Sequence, residues 1–307
     1  MPPILDSVVT ILLVTILGWW LRRSGHVSEE QWHGFEHISY QVFFPAIIIH
    51  ALAKADLGSV PALAFGATLL SSVTLAGLLL LALYPLLNRH LGLGGPAFSS
   101  VFQGAIRWNT FMAVGLADRL FGARGLTLVA VAIAAIIPLM NITCVMMLRH
   151  FGSNATGRLS LLGLLKNPFI WSSIVGLAIN FSGLTLPGPL FAAADMLGKA
   201  SLPAALLLVG SGLNLSDLGR PTLPLLLSAF IKLIGLSLLA ILIARFTGIA
   251  GPDLAVLLLC TTVPTAGAAY IMARQMGGDA RLMAAIITFE TIACILTIPL
   301  VQLLLGP

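Results

Sequence analysis

Charge is scarce in this chain. Of its 307 residues only 9% are charged, 16 Lys and Arg against 11 Asp and Glu, where a soluble domain carries roughly 25%. So few ionised groups cannot cover the surface of a water-solvated protein of this length. Cysteine is rarer still. Cys144, Cys260 and Cys294 all lie in apolar segments, without metal spacing or a disulfide pattern, and read as small core residues. The chain has no HExxH zinc motif and no GxSxG nucleophile elbow. It has no P-loop, which argues against ATP-driven pumping. A protease working inside the membrane needs paired Asp or a Ser/His pair at depth, and no such pairing stands out. The net charge of +5 comes from basic residues scattered through short connections, not from a stripe, so nucleic acid is not an expected partner. The expectation is a protein that is not an enzyme and carries no cofactor and no metal.

What the chain has is long apolar runs. Hydrophobic residues make up 58% of it and the mean hydropathy is +1.03. Each membrane span needs roughly 20 apolar residues. The pattern predicts ten spans, at roughly 4–21, 35–53, 62–87, 97–121, 126–148, 168–184, 189–213, 223–246, 254–276 and 281–304. The turn residues of Gly92-Leu93-Gly94-Gly95-Pro96 and Leu186-Pro187-Gly188-Pro189 separate two of the pairs, and the longest polar connection falls at 149–166. Arg22 and Arg23 follow the first apolar run, with Asp6 the first charge. That reads as an uncleaved first helix with its N-terminus outside. Alternate connections then carry Arg22, Arg23, Arg89, Arg149, Arg158, Lys166, Arg220, Arg274 and Arg281, nine in all, against Lys54, Arg119, Arg124 and Arg245, which are four. The excess predicts both termini on the outer side of a bacterial inner (plasma) membrane.

The two halves, 1–150 and 151–307, resemble each other. Asn109 precedes Gly122 by thirteen residues, Pro264 precedes Gly277 by thirteen, and an offset of 155 aligns Arg119 with Arg274. Pro138 and Pro299 lie late in the following runs, and Phe44-Pro45-Ala46 matches Leu202-Pro203-Ala204. Five spans per copy forces the second copy upside down. An inverted five-plus-five repeat is a transporter architecture, with its site near the midplane. The predicted fold is therefore an all-α membrane protein of ten helices, with helices 4 and 9 broken and crossing.

The polar residues inside spans are the candidates for chemistry. An arginine at mid-span costs about 2.5–3.5 kcal/mol on insertion scales, so Arg107 and Asn109 in span 4 should face protein or a water-filled cavity. Pro264 should break span 9, and Thr262, Thr265 and Gly267 can satisfy an unwound stretch there. Broken helices expose N–H groups and positive dipole ends suited to an anion, and Arg107 adds a fork for a carboxylate. The competing explanation is that Arg107 snorkels or pairs structurally with an acid. The candidate substrate contacts are Arg107, Asn109, Thr110, Thr262, Pro264 and Thr265. Glu290 and Lys232 need partners, each other or Arg107. Glu290, His50 and Lys232 are the candidates for carrying a coupling ion, with a structural ion pair as the alternative for Glu290. Asp195 and Lys199 read as an i,i+4 pair, Asn180 and Asn214 as caps, and Pro45 and Pro203 as kinks.

In these pieces the chain resembles the auxin efflux carrier family of secondary transporters. They are Phe44-Pro45-Ala46, Arg107-Trp108-Asn109-Thr110 with Gly115 and Gly122, Asn167-Pro168, Leu202-Pro203-Ala204-Ala205-Leu206 with Gly210, Pro264 with Ala266, Tyr270 and Gly277-Gly278-Asp279, and Thr297-Ile298-Pro299. The resemblance covers the whole chain. It implies crossing broken helices at Asn109 and Pro264, a scaffold of helices 1, 2, 6 and 7, and a moving transport domain of helices 3–5 and 8–10. It departs in two places: Gly115-Leu116-Ala117 lacks a proline, and Glu290 stands where a small or hydroxylated residue is expected. The function expected is transport of small organic anions, mono- or dicarboxylates, driven by an ion gradient or the membrane potential. H+ or Na+ is the coupling ion, and a homodimer would form through scaffold helices. The alternatives are a sodium-coupled symporter of bile-acid-carrier type and a membrane module that transports nothing.

Overall fold

The computed structural model describes residues 2–54, 60–153, 168–184, 187–213 and 222–305. Among them the secondary structure is helical throughout. The helices are α1 (Pro2–Arg23), α2 (Glu29–Ile38), α3 (Phe44–Ala53), α4 (Ala62–Leu91), α5 (Gly95–Ile106), α6 (Thr110–Phe151), α7 (Pro168–Ser182), α8 (Gly188–Lys199), α9 (Ser201–Gly212), α10 (Leu223–Phe230), α11 (Leu236–Thr247), α12 (Gly251–Thr262), α13 (Ala268–Met276) and α14 (Ala280–Leu304). Four continuous stretches among the described residues are long and apolar enough to cross a membrane: Ala62–Leu91, Met112–Phe151, Leu223–Thr247 and Ala280–Leu304. Asn214, expected as a cap, and the basic residues Arg158, Lys166 and Arg220 lie outside the described residues.

Helix interruptions follow local chemistry. Pro45 cannot donate to the carbonyl four residues back, and its ring crowds that turn. The chain answers with a π-helical turn over Ser39–Phe43, where the Phe44 N–H reaches the Ser39 carbonyl. Pro203 acts similarly, because it leaves the Lys199 carbonyl without its usual donor. There α8 ends at Lys199 and α9 begins at Ser201. A second π turn, Ile231–Gly235, joins α10 to α11 with no proline near it. Where a connection between spans 4 and 5 was expected, α6 is two helices joined at Gly122, whose backbone leaves the helix with φ 57° and ψ −147°, a conformation open essentially to glycine alone.

The chain forms two compact units, which do not follow the halves: each takes segments from both. One comprises Met1–Leu63, Thr110–Ala134 and Leu161–Leu213. Its helices cross where side chains are missing. A Cβ on Gly18 of α1 would strike the Leu207 carbonyl of α9, and one on Gly210 would strike the Thr15 carbonyl of α1. Gly176 of α7 lies against Leu52 and Ile49, and Gly198 of α8 against Ile47. Small residues that let backbones approach this closely are how helices associate in lipid, where apolar side chains gain nothing by leaving the solvent.

The other unit comprises Ala64–Asn109, Ala135–Ser160 and Asn214–Pro307. Helix α5 is buried along its length from Phe98 to Ile106. Phe98 packs tilted against Tyr84 and edge-to-face with Phe151, at ring-centroid distances of 4.5 and 4.9 Å. Leu225, Ala269, Ala273, Met283 and Ile286 form a core beside it. The start of α5 is tied to the turn between α13 and α14: the Asp279 N–H donates to the Pro96 carbonyl (3.1 Å) and Ser100 Oγ donates to the Asp279 carbonyl (2.9 Å).

Candidate solute-binding site

The polar residues singled out in spans 4 and 9 meet within this second unit. Helix α5 stops at Ile106. Arg107 donates its N–H to the Gln103 carbonyl (2.9 Å) and then turns extended, with ψ 154°. Helix α12 stops at Thr262, and Val263 turns extended in the same way, with ψ 144°. Residues 107–109 and 263–267 are both out of the helix. The two breaks bond to each other through their main chains, with the Asn109 N–H donating to the Pro264 carbonyl at 2.7 Å.

Side chains satisfy what the breaks set free. Thr265 is fully buried; its hydroxyl donates to the Gly104 carbonyl at 2.7 Å and lies 3.3 Å from that of Arg107. These carbonyls would have bonded the next turn of α5 had it continued. The Thr265 N–H, freed by the unwinding around Pro264, donates to Glu290 Oε2 at 2.9 Å. Glu290 Oε1 accepts from Ser228 Oγ at 3.3 Å. Thr261 and Thr262 both bond back to the Leu258 carbonyl and both contact the Ser237 hydroxyl, at 2.9 and 3.0 Å. Gly267 precedes α13 with open space beside its α-carbon.

Glu290 does not form the ion pair that the sequence suggested. It is fully buried, yet its oxygens go to Thr265 and Ser228. Lys232, 1% exposed on the second π turn, interacts with Glu290 electrostatically without a close pair. Arg107 goes elsewhere: its guanidinium Nη1 donates to Met272 Sδ at 3.1 Å and reaches the Cys144 thiol. Among the described residues this half-buried cation has no carboxylate partner. Sulfur is a weak acceptor, so among the described residues no carboxylate compensates the charge of this arginine.

Two further groups escaped the sequence reading. Gln103, one turn before Arg107, is fully buried with both amide atoms unpaired, and the Trp108 indole N–H is buried and unpaired as well. Leaving such a group unsatisfied costs about 1–3 kcal/mol. Gln103 is a polar residue inside span 4 that was given no role, because the sequence shows its polarity but not that it is unpaired. Its isolation depends on what surrounds it.

The remaining candidates belong to the first unit. Thr110 begins α6. His50 lies 3.8 Å from Asp195 and stacks on Phe191 with centroids 4.5 Å apart. Asp195 takes Lys199 at 2.6 Å as the expected i,i+4 pair. Asn180 donates to the Ala53 carbonyl at the end of α3, so it caps another helix. Pro45 and Pro203 sit at the interruptions already described.

Residues 153–302 match the model of a family described as membrane transport protein. An uncharacterized transporter of Methanothermobacter thermautotrophicus is 24% identical over 300 residues, 96% of either chain. The resemblance to auxin efflux carriers read from the motifs is thereby borne out. The protein is a membrane transporter and not an enzyme.

Proposed function

We propose that this membrane transporter of the auxin-efflux-carrier type moves small organic anions, mono- or dicarboxylates, by an elevator-like alternation of access. The observation that carries the reading is Arg107, a guanidinium at a helix break whose side-chain partners among the described residues are the sulfurs of Met272 and Cys144. A carboxylate would complete it with two parallel, charge-assisted hydrogen bonds. The N-terminus of α13 adds a positive dipole end beside the break. In this reading helices 4 and 9 of a ten-helix inverted five-plus-five repeat are α5 with the start of α6, and α12 with α13. Helices 1, 2, 6 and 7 make the scaffold and helices 3–5 and 8–10 the moving domain. The division of the chain agrees with this for α1–α3 and α7–α9, which group in one compact unit, and for α5 and α10–α14, which group in the other, while Thr110–Ala134 of α6 goes with the first. The moving domain carries the solute against lipid in an inner membrane, with both termini outside and a scaffold-mediated dimer.

The test is uptake of labelled carboxylates by the purified chain in proteoliposomes. Saturable uptake of at least one, driven by an imposed ion gradient or potential, is expected. If no carboxylate moves under any gradient, the chain is a module of another kind. A second reading, sodium-coupled symport, is favoured by the fully buried Glu290 carboxylate beside unwound backbone, a suitable setting for a cation. Uptake in sodium-free buffer separates the two: full activity there removes the sodium reading, and loss of activity there establishes it.

A further inference from the structure

The buried polar groups around the two breaks divide into two sets. Thr265, Glu290, Ser228, Ser237, Thr261 and Thr262 bond one another or the backbone. They hold the crossing together. Gln103, Arg107 and Trp108 do not: the amide is unpaired at both ends, the indole N–H is unpaired, and the guanidinium touches sulfur. All three belong to one six-residue stretch at the end of α5. Gln103 and Arg107 are four apart on the last turn, which the Arg107 N–H closes on the Gln103 carbonyl, so they share a face. That face runs along α13 and the turn after it, since Ser100 bonds the Asp279 carbonyl and Arg107 contacts Met272.

We propose that Gln103, with the Trp108 indole, forms a neutral subsite beside Arg107, and that the preferred solute is a monocarboxylate bearing a hydroxyl a few bonds from its carboxylate. The assignment rests on Arg107 being the carboxylate anchor. A carboxamide offers both donors and an acceptor, and a hydroxyl is the small group that answers both. A second carboxylate only accepts. It would leave Gln103 Oε1 unpaired and bring a second negative charge to a break with one guanidinium, while Lys232 already interacts with Glu290. The site therefore selects a hydroxy acid over both its deoxy analogue and the corresponding dicarboxylate.

Matched labelled pairs test this in proteoliposomes of the full chain: glycolate and acetate, lactate and propionate, 2- and 3-hydroxybutyrate and butyrate, with malonate and succinate as dicarboxylates. In the unmodified protein the best hydroxy acid should exceed its deoxy partner in uptake efficiency by about tenfold or more, because a polar site rejects a solute that leaves it unpaired. Gln103→Met, which fills a similar volume without the amide, should bring that ratio close to one by removing the bond that only the hydroxy acid makes. Trp108→Phe should lower the ratio in the same direction, and it serves where Gln103→Met does not insert. Arg107→Ala should abolish uptake of both members of each pair. An unchanged ratio in Gln103→Met or Trp108→Phe, with Arg107→Ala inactive, overturns the neutral subsite and leaves the carboxylate anchor standing. Unimpaired uptake in Arg107→Ala, or no uptake of any probe by the unmodified chain, overturns the anchor and this assignment with it.

Discussion

One hydroxyl, that of Thr265, bonds the last helical carbonyls of α5 while its own N–H is held by Glu290. Thr265→Val keeps the shape and removes the hydroxyl. It should lower stability by about 1–3 kcal/mol by orphaning a buried carbonyl, whereas Thr265→Ser should retain most of it. Thermal unfolding in detergent checks both. Equal midpoints for Val and Ser would mean that the hydroxyl holds nothing. Glu290→Gln keeps an acceptor for the Thr265 N–H and removes the charge, so it should fold. If Glu290 carries the coupling proton, the variant's uptake no longer responds to an imposed pH gradient. Uptake with its full proton dependence would relegate Glu290 to holding the break.

At the level of helices, the features visible in the sequence were those written in single residue types. Pro264 announced one break, and the repeat and the resemblance placed the other around Asn109; the helices stop at Thr262 and Ile106, within three residues of each. Pro45 and Pro203 announced interruptions that appear within a few residues of each. The π turn at Ile231–Gly235 carries no such signature, since no proline lies within it or directly after it. Gln103 was equally silent, since being unpaired is a property of its neighbours. The pairing of Glu290 was misjudged for a related reason: charge alone suggested a cation, while the unwound backbone supplied a nearer donor. The crossing of α1 and α9 gives a direct test of close packing. Gly210→Ala places a methyl against the Thr15 carbonyl and should destabilise the protein by about 1–3 kcal/mol. Gly212→Ala, with open space around it, should stay within about 0.5 kcal/mol. Comparable melting of the two variants would mean that the helices are not in contact there.

For the whole molecule, the distribution of arginine and lysine predicts its orientation. Accessible tags on both termini should be cleaved by protease added to intact spheroplasts and protected in inverted vesicles. A terminus cleaved only in inverted vesicles would break the ten-span count. The three cysteines are buried, so introduced cysteines can report on exposure against a quiet background. The central claim is that a charge held without a carboxylate partner at a helix break binds the transported anion. Uptake of labelled carboxylates by Arg107→Ala, compared with the unmodified chain at equal amounts of folded, inserted protein, tests it most directly. The account predicts that uptake falls to the level of empty liposomes while the variant elutes and melts as a folded protein. Undiminished uptake by that variant would contradict it.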